Sequence, residues 1–485
     1  RDLDPNNAYR SRLAYDELLA NQLALALIRR ASRKLPGRSI NGNRKFRRQV
    51  LSSLPFELTD AQKTALAEIN NDMMQPGRML RLLQGDVGSG KTVVALLAAL
   101  TAIEDGGQVA LMAPTEILAR QHFNTFRDLL SVTDIKVSVL TGRDRGSTRN
   151  DILTELMDGS LSLIIGTHAL FQKDVIYKNL LLAVIDEQHR FGVHQRLGLA
   201  RKGHGVDTLV MTATPIPRSL LLTAYGDLDC SRLMGKPPGR KPVDTRIIPN
   251  NRLPDIISSV GRAIQKNAKV YWICPLVEES ETIDLANVEA RYSSLENQFN
   301  EKVELIHGRM KASEKDAAMS RFISGPASIL VATTVIEVGV DVPEATIMVI
   351  EHAERFGLAQ LHQLRGRVGR GKEQSTCLLV YASPLGETAR ARLSIMRDTD
   401  DGFLISEKDL ELRGGGEILG TRQSGIPAFR LADLQIHSDL LAVAQDDAKL
   451  ILQKDPELET DRGKALRDLL YLFERDEAVT FLRSG

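Results

Sequence analysis

A chain of 485 residues, 43% hydrophobic and 26% charged, can bury large cores and is long enough for about two to four domains, which excludes a disordered or low-complexity polypeptide. Its 63 Lys and Arg are offset by 62 Asp and Glu, a net charge of +1, so any surface for a polyanion must be local. Cys230, Cys274 and Cys377 lie far apart without C-x-x-C spacing, which argues against a zinc site or disulfide framework and fits a reducing cytoplasm. No apolar run is long enough to cross a bilayer and no signal-peptide pattern is present. The sequence starts at Arg1 rather than Met, so the expectation is a piece of something longer.

In chain order, Ala8 to Ile28 reads as a connector helix, with Leu13, Leu18, Leu19, Leu23, Leu25 and Leu27 on one broad side. Arg29, Arg30, Arg33, Lys34, Arg38, Arg44, Lys45, Arg47 and Arg48 follow with no acid among them. Two readings stay open for this stretch: a surface for a phosphate backbone, or a solvated basic loop. Thr59 or Asp60 then caps a helix with Gln62 in its first turn. Next, between the apolar Met79 to Leu83 and the helix-like Val93 to Ile103, stands Gly85-Asp86-Val87-Gly88-Ser89-Gly90-Lys91-Thr92, the string G-x-x-x-x-G-K-[ST]. Glycines let the backbone turn tightly enough that successive N–H groups point at phosphate oxygens, Lys91 neutralises phosphate charge, and the Thr92 hydroxyl can hold Mg²⁺. This predicts a nucleoside triphosphate site.

Short apolar runs then alternate with helical segments: Val109 to Ala113, Val137 to Leu140, Leu161 to Ile165, Leu181 to Ile185 and Thr208 to Met211. Alternation of this kind predicts an α/β fold with a parallel sheet covered by helices, its chemistry on the loops at the strands' C-terminal ends. Asp186 and Glu187 directly follow one such run, so Asp186 is placed for Mg²⁺ and Glu187 to orient or deprotonate an attacking water. Gly235 to Pro242, with three prolines and two glycines, reads as an interdomain linker. A second series follows, Val270 to Cys274, Val303 to Ile306, Ile329 to Ala332, Ile347 to Ile350 and Thr376 to Val380, with no phosphate loop of its own. After its fourth run comes Gln363-Leu364-Arg365-Gly366-Arg367-Val368-Gly369-Arg370, in which Arg367 and Arg370 are either surface ion-pair residues or fingers aimed at the first domain's γ-phosphate. From Gly386 on, Asp400-Asp401-Gly402-Phe403 and Leu410 to Gly416 suggest a helix, a turn and a helix ending at glycines, then a loop through Gln423-Ser424-Gly425.

The phosphate loop, Ala113-Pro114-Thr115-Glu116, Asp186-Glu187-Gln188-His189, Thr212-Ala213-Thr214-Pro215, Ala332 to Asp341 and Gln363 to Arg370, in that order, resemble superfamily 2 helicases. The loop, Asp186 to Val193, Thr212 to Arg218 and Arg413 to Gly425 are more closely similar to the RecG-like family of branched-DNA translocases. The resemblance implies two RecA-like domains, each a parallel sheet covered by helices, with a C-terminal helical-hairpin-and-loop element. The expected boundaries are 1–50 connector and basic stretch, 51–235 first motor domain, 236–246 linker, 247–385 second motor domain and 386–485 C-terminal element and tail. It further implies ATP and Mg²⁺ as cofactors, with Lys91, Asp186, Glu187, Gln188, His189, Arg367 and Arg370 catalytic. Phe56, Gln62, Gly85, Asp86, Gly88, Ser89, Gly90, Thr92, Gly339 and Asp341 would bind the nucleotide, and Thr92 and Asp186 the metal. Thr115, Arg120, Gln121, Thr141, Gly142, Thr167, His168, His307, Arg309, Thr333 and Thr334 would line a DNA strand. Thr212, Thr214, Arg413 and Gln423 would couple nucleotide to DNA. Branched and duplex DNA are the implied partners, with a single-stranded-DNA-binding protein as a further one, for a monomer in the cytoplasm that works without a membrane. An N-terminal oligonucleotide-binding wedge typical of such proteins would precede this chain. An ATP-gated clamp that closes on DNA without moving, a translocase like the transcription-repair coupling factor, and an RNA helicase are the other readings.

Overall fold

The computed structural model describes residues 7–34, 36–187, 202–203, 205–224, 228–235, 237, 239–275, 281–333, 342–371, 373–420, 429–434 and 436–475, and only the backbone course of 31–34, 218–219, 224, 281–286, 312 and 413–420. Two parallel sheets organise the chain, as the alternation of apolar runs predicts. The first comprises β1 (Leu80–Gly85), β2 (Gln108–Met112), β3 (Val137–Leu140), β4 (Leu163–Gly166), β5 (Leu180–Ile185), β6 (Asp207–Thr212) and β7 (Asp229–Leu233), in the order β3-β4-β2-β5-β6-β1-β7. The second comprises β8 (Asp244–Pro249), β9 (Lys269–Ile273), β10 (Val303–Ile306), β11 (Ile329–Ala332), β12 (Ala345–Ile350) and β13 (Thr376–Tyr381), in the order β10-β11-β9-β12-β13-β8. The inner strands β2, β4, β5 and β6 are buried along their whole length, which is why they read as unbroken apolar runs.

Two strands were not expected. Among the described residues, β7 (Asp-Cys-Ser-Arg-Leu) pairs only with β1, and β8 (Asp-Thr-Arg-Ile-Ile-Pro) only with β13. Both lie at sheet edges, where solvent admits polar residues and a proline such as Pro249 at the strand end is tolerated. The expected linker 236–246 therefore overlaps the start of a strand.

Helices cover both sheets. α1 (Ala8–Lys34), α2 (Lys45–Ser53), α3 (Asp60–Met73), α4 (Lys91–Glu104), α5 (Glu116–Leu130), α6 (Gly146–Asp158) and α7 (Arg218–Ala224) precede or belong to the first sheet. α8 (Leu253–Ile264), α9 (Glu281–Phe299), α10 (Ala312–Ser324) and α11 (Leu358–Arg365) belong to the second, followed by α12 (Glu387–Asp398), α13 (Gly402–Gly420), α14 (Ser438–Lys454) and α15 (Asp461–Leu472). α4 is buried all round from Val93 to Ile103, which makes it the central strut of the first core. α8 instead shows one stripe, Ile256, Val260 and Ile264, to its sheet. α13 does not stop at Gly414-Gly415-Gly416 but runs to Gly420, a correction to the glycine-terminated helix expected there.

α1 is not a free connector. Leu18, Leu19, Leu23 and Leu27 pack against Leu441, Ala444 and Ala448 of α14 and Leu466 and Leu470 of α15. The Glu17 carboxylate accepts from the backbone N–H groups of Arg430, Leu431 and Ala432 at 2.7–2.8 Å. Asn21 and Gln22 donate to the carbonyls of Thr223 and Leu222, so the two ends of the chain close over α7.

The basic stretch meets protein rather than open solvent at four of its cations: Arg29 pairs with Asp229, Arg30 with Glu457, Arg38 with Asn179 and Arg47 with Glu104. The Glu104 side chain has no exposed surface; it accepts from Arg44 N (2.7 Å), Arg47 N (2.8 Å) and Arg47 Nε (2.9 Å). Removing one partner of a buried pair leaves the other charge unmatched. Glu104→Ala is therefore expected to destabilise the first domain by about 3 kcal/mol, read from the denaturant midpoint. Glu155→Ala, which breaks the exposed Lys136 pair, should cost under about 1 kcal/mol.

Candidate functional site

Parallel pairing brings the strands' C-terminal ends to one edge, where successive loops face one another. Gln84 lies opposite Thr212 and Gly85 opposite Leu233, so the loop after β1 opens between the ends of β6 and β7. Asp186 follows β5, and Thr115, Thr141 and Thr167 follow β2, β3 and β4. On the second sheet His307 follows β10 and Thr333 follows β11.

Within the loop, Gly88 and Gly90 hold φ of +76° and +87°. These positive φ values are what demand glycine; a Cβ on Gly88 would also lie 2.1 Å from the Arg240 guanidinium and one on Gly90 2.1 Å from Gln62 Nε2, displacing the ends of those two flexible side chains. Thr59 caps α3 in a reciprocal box with Gln62, and the Gln62 amide donates to the Ser89 carbonyl at 2.9 Å. The Lys91 ammonium donates to the carbonyls of Gly85 (2.7 Å) and Asp86 (2.8 Å) and is 9% exposed. Thr92 begins α4 beside it, half-buried, and Ser89 Oγ is buried without a hydrogen-bond partner among the described residues. Phe56 presents its ring to solvent.

Asp186 is 8% exposed; its Oδ2 lies 2.8 Å from His122 Nε2 on α5 and its Oδ1 accepts from Glu187 N at 3.0 Å. Glu187 itself is left-handed, φ +55°, a strained conformation for a non-glycine residue at the place expected to activate water. His122 was not expected: nothing in its local sequence marks it, and its partner is 64 residues away.

The second sheet delivers α11 to the same edge. Gln363 donates to Thr214 Oγ1, and Gly366 packs so closely on Val87 that a Cβ there would lie 2.7 Å from the valine's own. Arg367 is 7% exposed; Arg370 Nε donates to Gly366 O at 3.2 Å beside Gly369, whose φ is +77°. Arg240, from the stretch read as linker, donates to Val87 O at 2.9 Å. Asp86 turns its carboxylate toward the second lobe, where His362 Nε2 lies 3.2 Å from Oδ1 and Gly402 N donates to Oδ2 at 3.2 Å. Burial opposes that charge, yet His362, Gly402 N–H and Lys91 together hold the Asp86 carboxyl below its usual range.

The expected strand-lining residues divide. Arg120, Gly142, His168 and Arg309 are exposed, and Thr115, Gln121 and His307 half-buried. Thr141, Thr167, Thr212 and Thr333 are buried. Thr141 Oγ1 donates to Asp144 Oδ2 (2.9 Å) and builds its turn, and Thr212 Oγ1 accepts from Thr214 N (3.2 Å). Thr167 Oγ1, His307 Nδ1 and Thr333 Oγ1 are buried polar atoms with no hydrogen-bond partner among the described residues. Arg143 pairs with Glu116 (2.9 Å) and, across the lobes, with Asp316. Gln188, His189, Thr334, Gly339, Asp341 and Gln423 lie outside the described residues, as does the Arg413 side chain, though its backbone belongs to α13.

Two helix-covered parallel sheets that meet at a phosphate loop define the core of a superfamily 2 helicase. Residues 59–222 match the DEAD/DEAH box helicase family, 250–372 the helicase conserved C-terminal domain, and 399–472 the C-terminal part of domain 3 of the ATP-dependent DNA helicase RecG. The chain is 46% identical to the ATP-dependent DNA helicase RecG of Bacillus subtilis, over 95% of its own length and 68% of that protein. It is 49% identical to RecG of Escherichia coli K12 and 47% to that of Haemophilus influenzae, in each case over 92% of its own length and 65% of the relative. A solved structure of RecG bound to a three-way DNA junction superposes with a TM-score of 0.75 at 46% identity, covering 89% of this chain and 57% of that one. The RNA-bound Dbp5 of S. cerevisiae, 15% identical with a TM-score of 0.55 over 84% of this chain and 98% of its own, shares the fold. This chain belongs to the RecG family, and it spans about two thirds of the curated relatives it matches.

Burial pushes the Lys91 ammonium down from 10.5 to about 8, against the pull of Glu187, Asp186 and Asp86 and with the help of Arg370. Added phosphate charge favours the protonated amine. At about pH 8.5, where roughly three quarters of this amine is neutral in the free loop, Lys91 is expected to take up at most about three quarters of a proton when ATP binds, and at about pH 6.5, where it is already charged, almost none. Calorimetric titrations in buffers of different ionisation enthalpy check this, and Lys91→Ala should remove the uptake.

Proposed function

We propose that this chain is the ATP-driven motor of a branched-DNA translocase, active as a monomer in the cytoplasm. What supports the reading most is that a phosphate loop, an Asp-Glu pair and two arginines from the opposite sheet share one edge of the molecule. In the mechanism, Lys91 and the loop N–H groups take the β- and γ-phosphates, Glu187 positions the attacking water, and Arg367 and Arg370 meet charge that develops on the γ-phosphate. Thr92 and Asp186 offer the hard oxygens that suit Mg²⁺ and would hold it. That ion would neutralise charge between the phosphates. Arg120, Gln121, Gly142, His168, His307 and Arg309 would meet the DNA backbone without reading its sequence. Closure of the lobes around ATP and their release after hydrolysis would move that grip along the duplex.

Lys91→Ala should lower DNA-stimulated ATP turnover by at least about 10²-fold. Arg367→Ala should lower kcat by about 10³-fold with little change in KM, because the finger acts only in the closed, reacting state. The test of the whole reading is ATP turnover together with displacement of a triplex-forming oligonucleotide, on forked, linear and single-stranded DNA. Displacement that needs ATP and fails in Lys91→Ala supports a motor; DNA-stimulated turnover with no displacement makes it a clamp.

A further inference from the structure

Asp86 occupies a variable position of the phosphate loop, and the hydrogen bonds of its carboxylate run to the second lobe and the C-terminal hairpin. It is held between His362 of α11 and the backbone N–H of Gly402, the first residue of α13, at 3.2 Å from each. All three are buried. The fit is tight: a Cβ on Gly402 would stand 1.9 Å from Asp86 Oδ1 and 2.5 Å from His362 Nε2.

His362 carries the connection onward. Its Nδ1 lies 3.1 Å from the Arg365 guanidinium, which can only donate, so Nδ1 supplies the lone pair and the ring proton sits on Nε2, aimed at Asp86. Arg365, 3% exposed, donates to the carbonyls of Met396 and Thr399 and pairs with Asp400 at 3.3 Å, which are the last turn of α12 and the turn between α12 and α13. Beyond that turn Asp401 accepts from Phe403 N and Leu404 N and starts α13. The first lobe grips α13 a second time, where Arg232 of β7 lies 5.8 Å over the Phe403 ring. The second lobe grips it through Asp409, which accepts from Leu358 N at the start of α11.

We propose that Asp86 and His362 are positioning residues that tie the phosphate loop directly to the α12–α13 hairpin. Any shift of the loop on nucleotide binding is then passed to the head of α13 through one carboxylate and one imidazole, in parallel with the arginines of the second lobe. Their role in movement rests on the translocase reading; their role in transmitting nucleotide state to the hairpin does not.

The experiment uses the full chain and two readouts. The first needs no DNA movement: amide hydrogen exchange over 396–410, with and without a non-hydrolysable ATP analogue. Nucleotide should change exchange there by at least about fivefold in the parent, a change lost in His362→Phe and retained in His362→Gln, whose amide can donate to Asp86 and accept from Arg365. The second readout is triplex displacement per ATP hydrolysed. His362→Phe should lower it about tenfold while basal ATP turnover stays within about threefold, and His362→Gln should restore it. Asp86→Asn should cause the same loss of the nucleotide-dependent exchange response, and its combination with His362→Phe should add nothing further to that loss, as for residues that act as one link. Exchange in the parent that ignores nucleotide, a phenylalanine variant that responds like the parent, or losses that multiply in the double variant would each overturn the link. Failure of displacement in the parent with an intact exchange response would instead count against the translocase reading alone.

Discussion

The structure depends on the shape of one loop, and that shape is imposed by the loop's own Lys91 and by polar groups that reach it from four other parts of the chain. Lys91 holds the Gly85 and Asp86 carbonyls, Gln62 the Ser89 carbonyl and Arg240 the Val87 carbonyl, while Asp86 is held by His362 and Gly402. A backbone with glycine at Gly88 and Gly90 has no intrinsic preference strong enough to define a phosphate cradle. The fixed donors and acceptors around it supply the definition, and they come from both sheets and from the C-terminal hairpin. The loop is thus the point at which three otherwise separate bodies agree on a geometry.

Charge is handled in the same local fashion. The molecule is nearly neutral, and many of its cations are already matched: Arg47 by a fully buried Glu104, Arg29 by Asp229, Arg143 by Glu116 and Asp316. Arg143 deserves comparison with the exposed Arg120 and Arg309, because it joins the two lobes on the side where Thr141, Gly142 and His307 lie. Phosphates approaching that side compete with carboxylates for the same guanidinium, so affinity for a polyanion and the separation of the lobes share one set of charges.

Most of the sheet framework is legible in the sequence because fully buried parallel strands must be apolar on both faces, and Leu180–Ile185 or Ile329–Ala332 can be little else. The phosphate loop is legible for a comparable reason, since its spacing is dictated by the shape of a phosphate. The edge strands β7 and β8 escape because their solvent-facing sides carry Asp, Ser and Arg. His122, Arg240 and His362 escape for a different reason. Each acts on a partner 64, 153 and 276 residues away, and no local pattern encodes a contact that only the completed fold creates. The glycines at 414–416 mislead in the opposite direction, since their low helix propensity loses to the continuous helix around them.

The bond between Gly402 and Asp86 spans 316 positions of sequence, among the longest separations in the molecule. Contacts of that range form late, because the chain between them must first be shortened by its own folding. A ribosome has therefore released the phosphate loop, the Asp186-Glu187 pair and the finger arginines well before Gly402 emerges. During that interval every residue needed to hold ATP is present, while the carboxylate of Asp86 still lacks its second partner. The order of synthesis thus separates a phase in which the cleft can assemble from one in which it is joined to the hairpin, and the nascent motor acquires its link last.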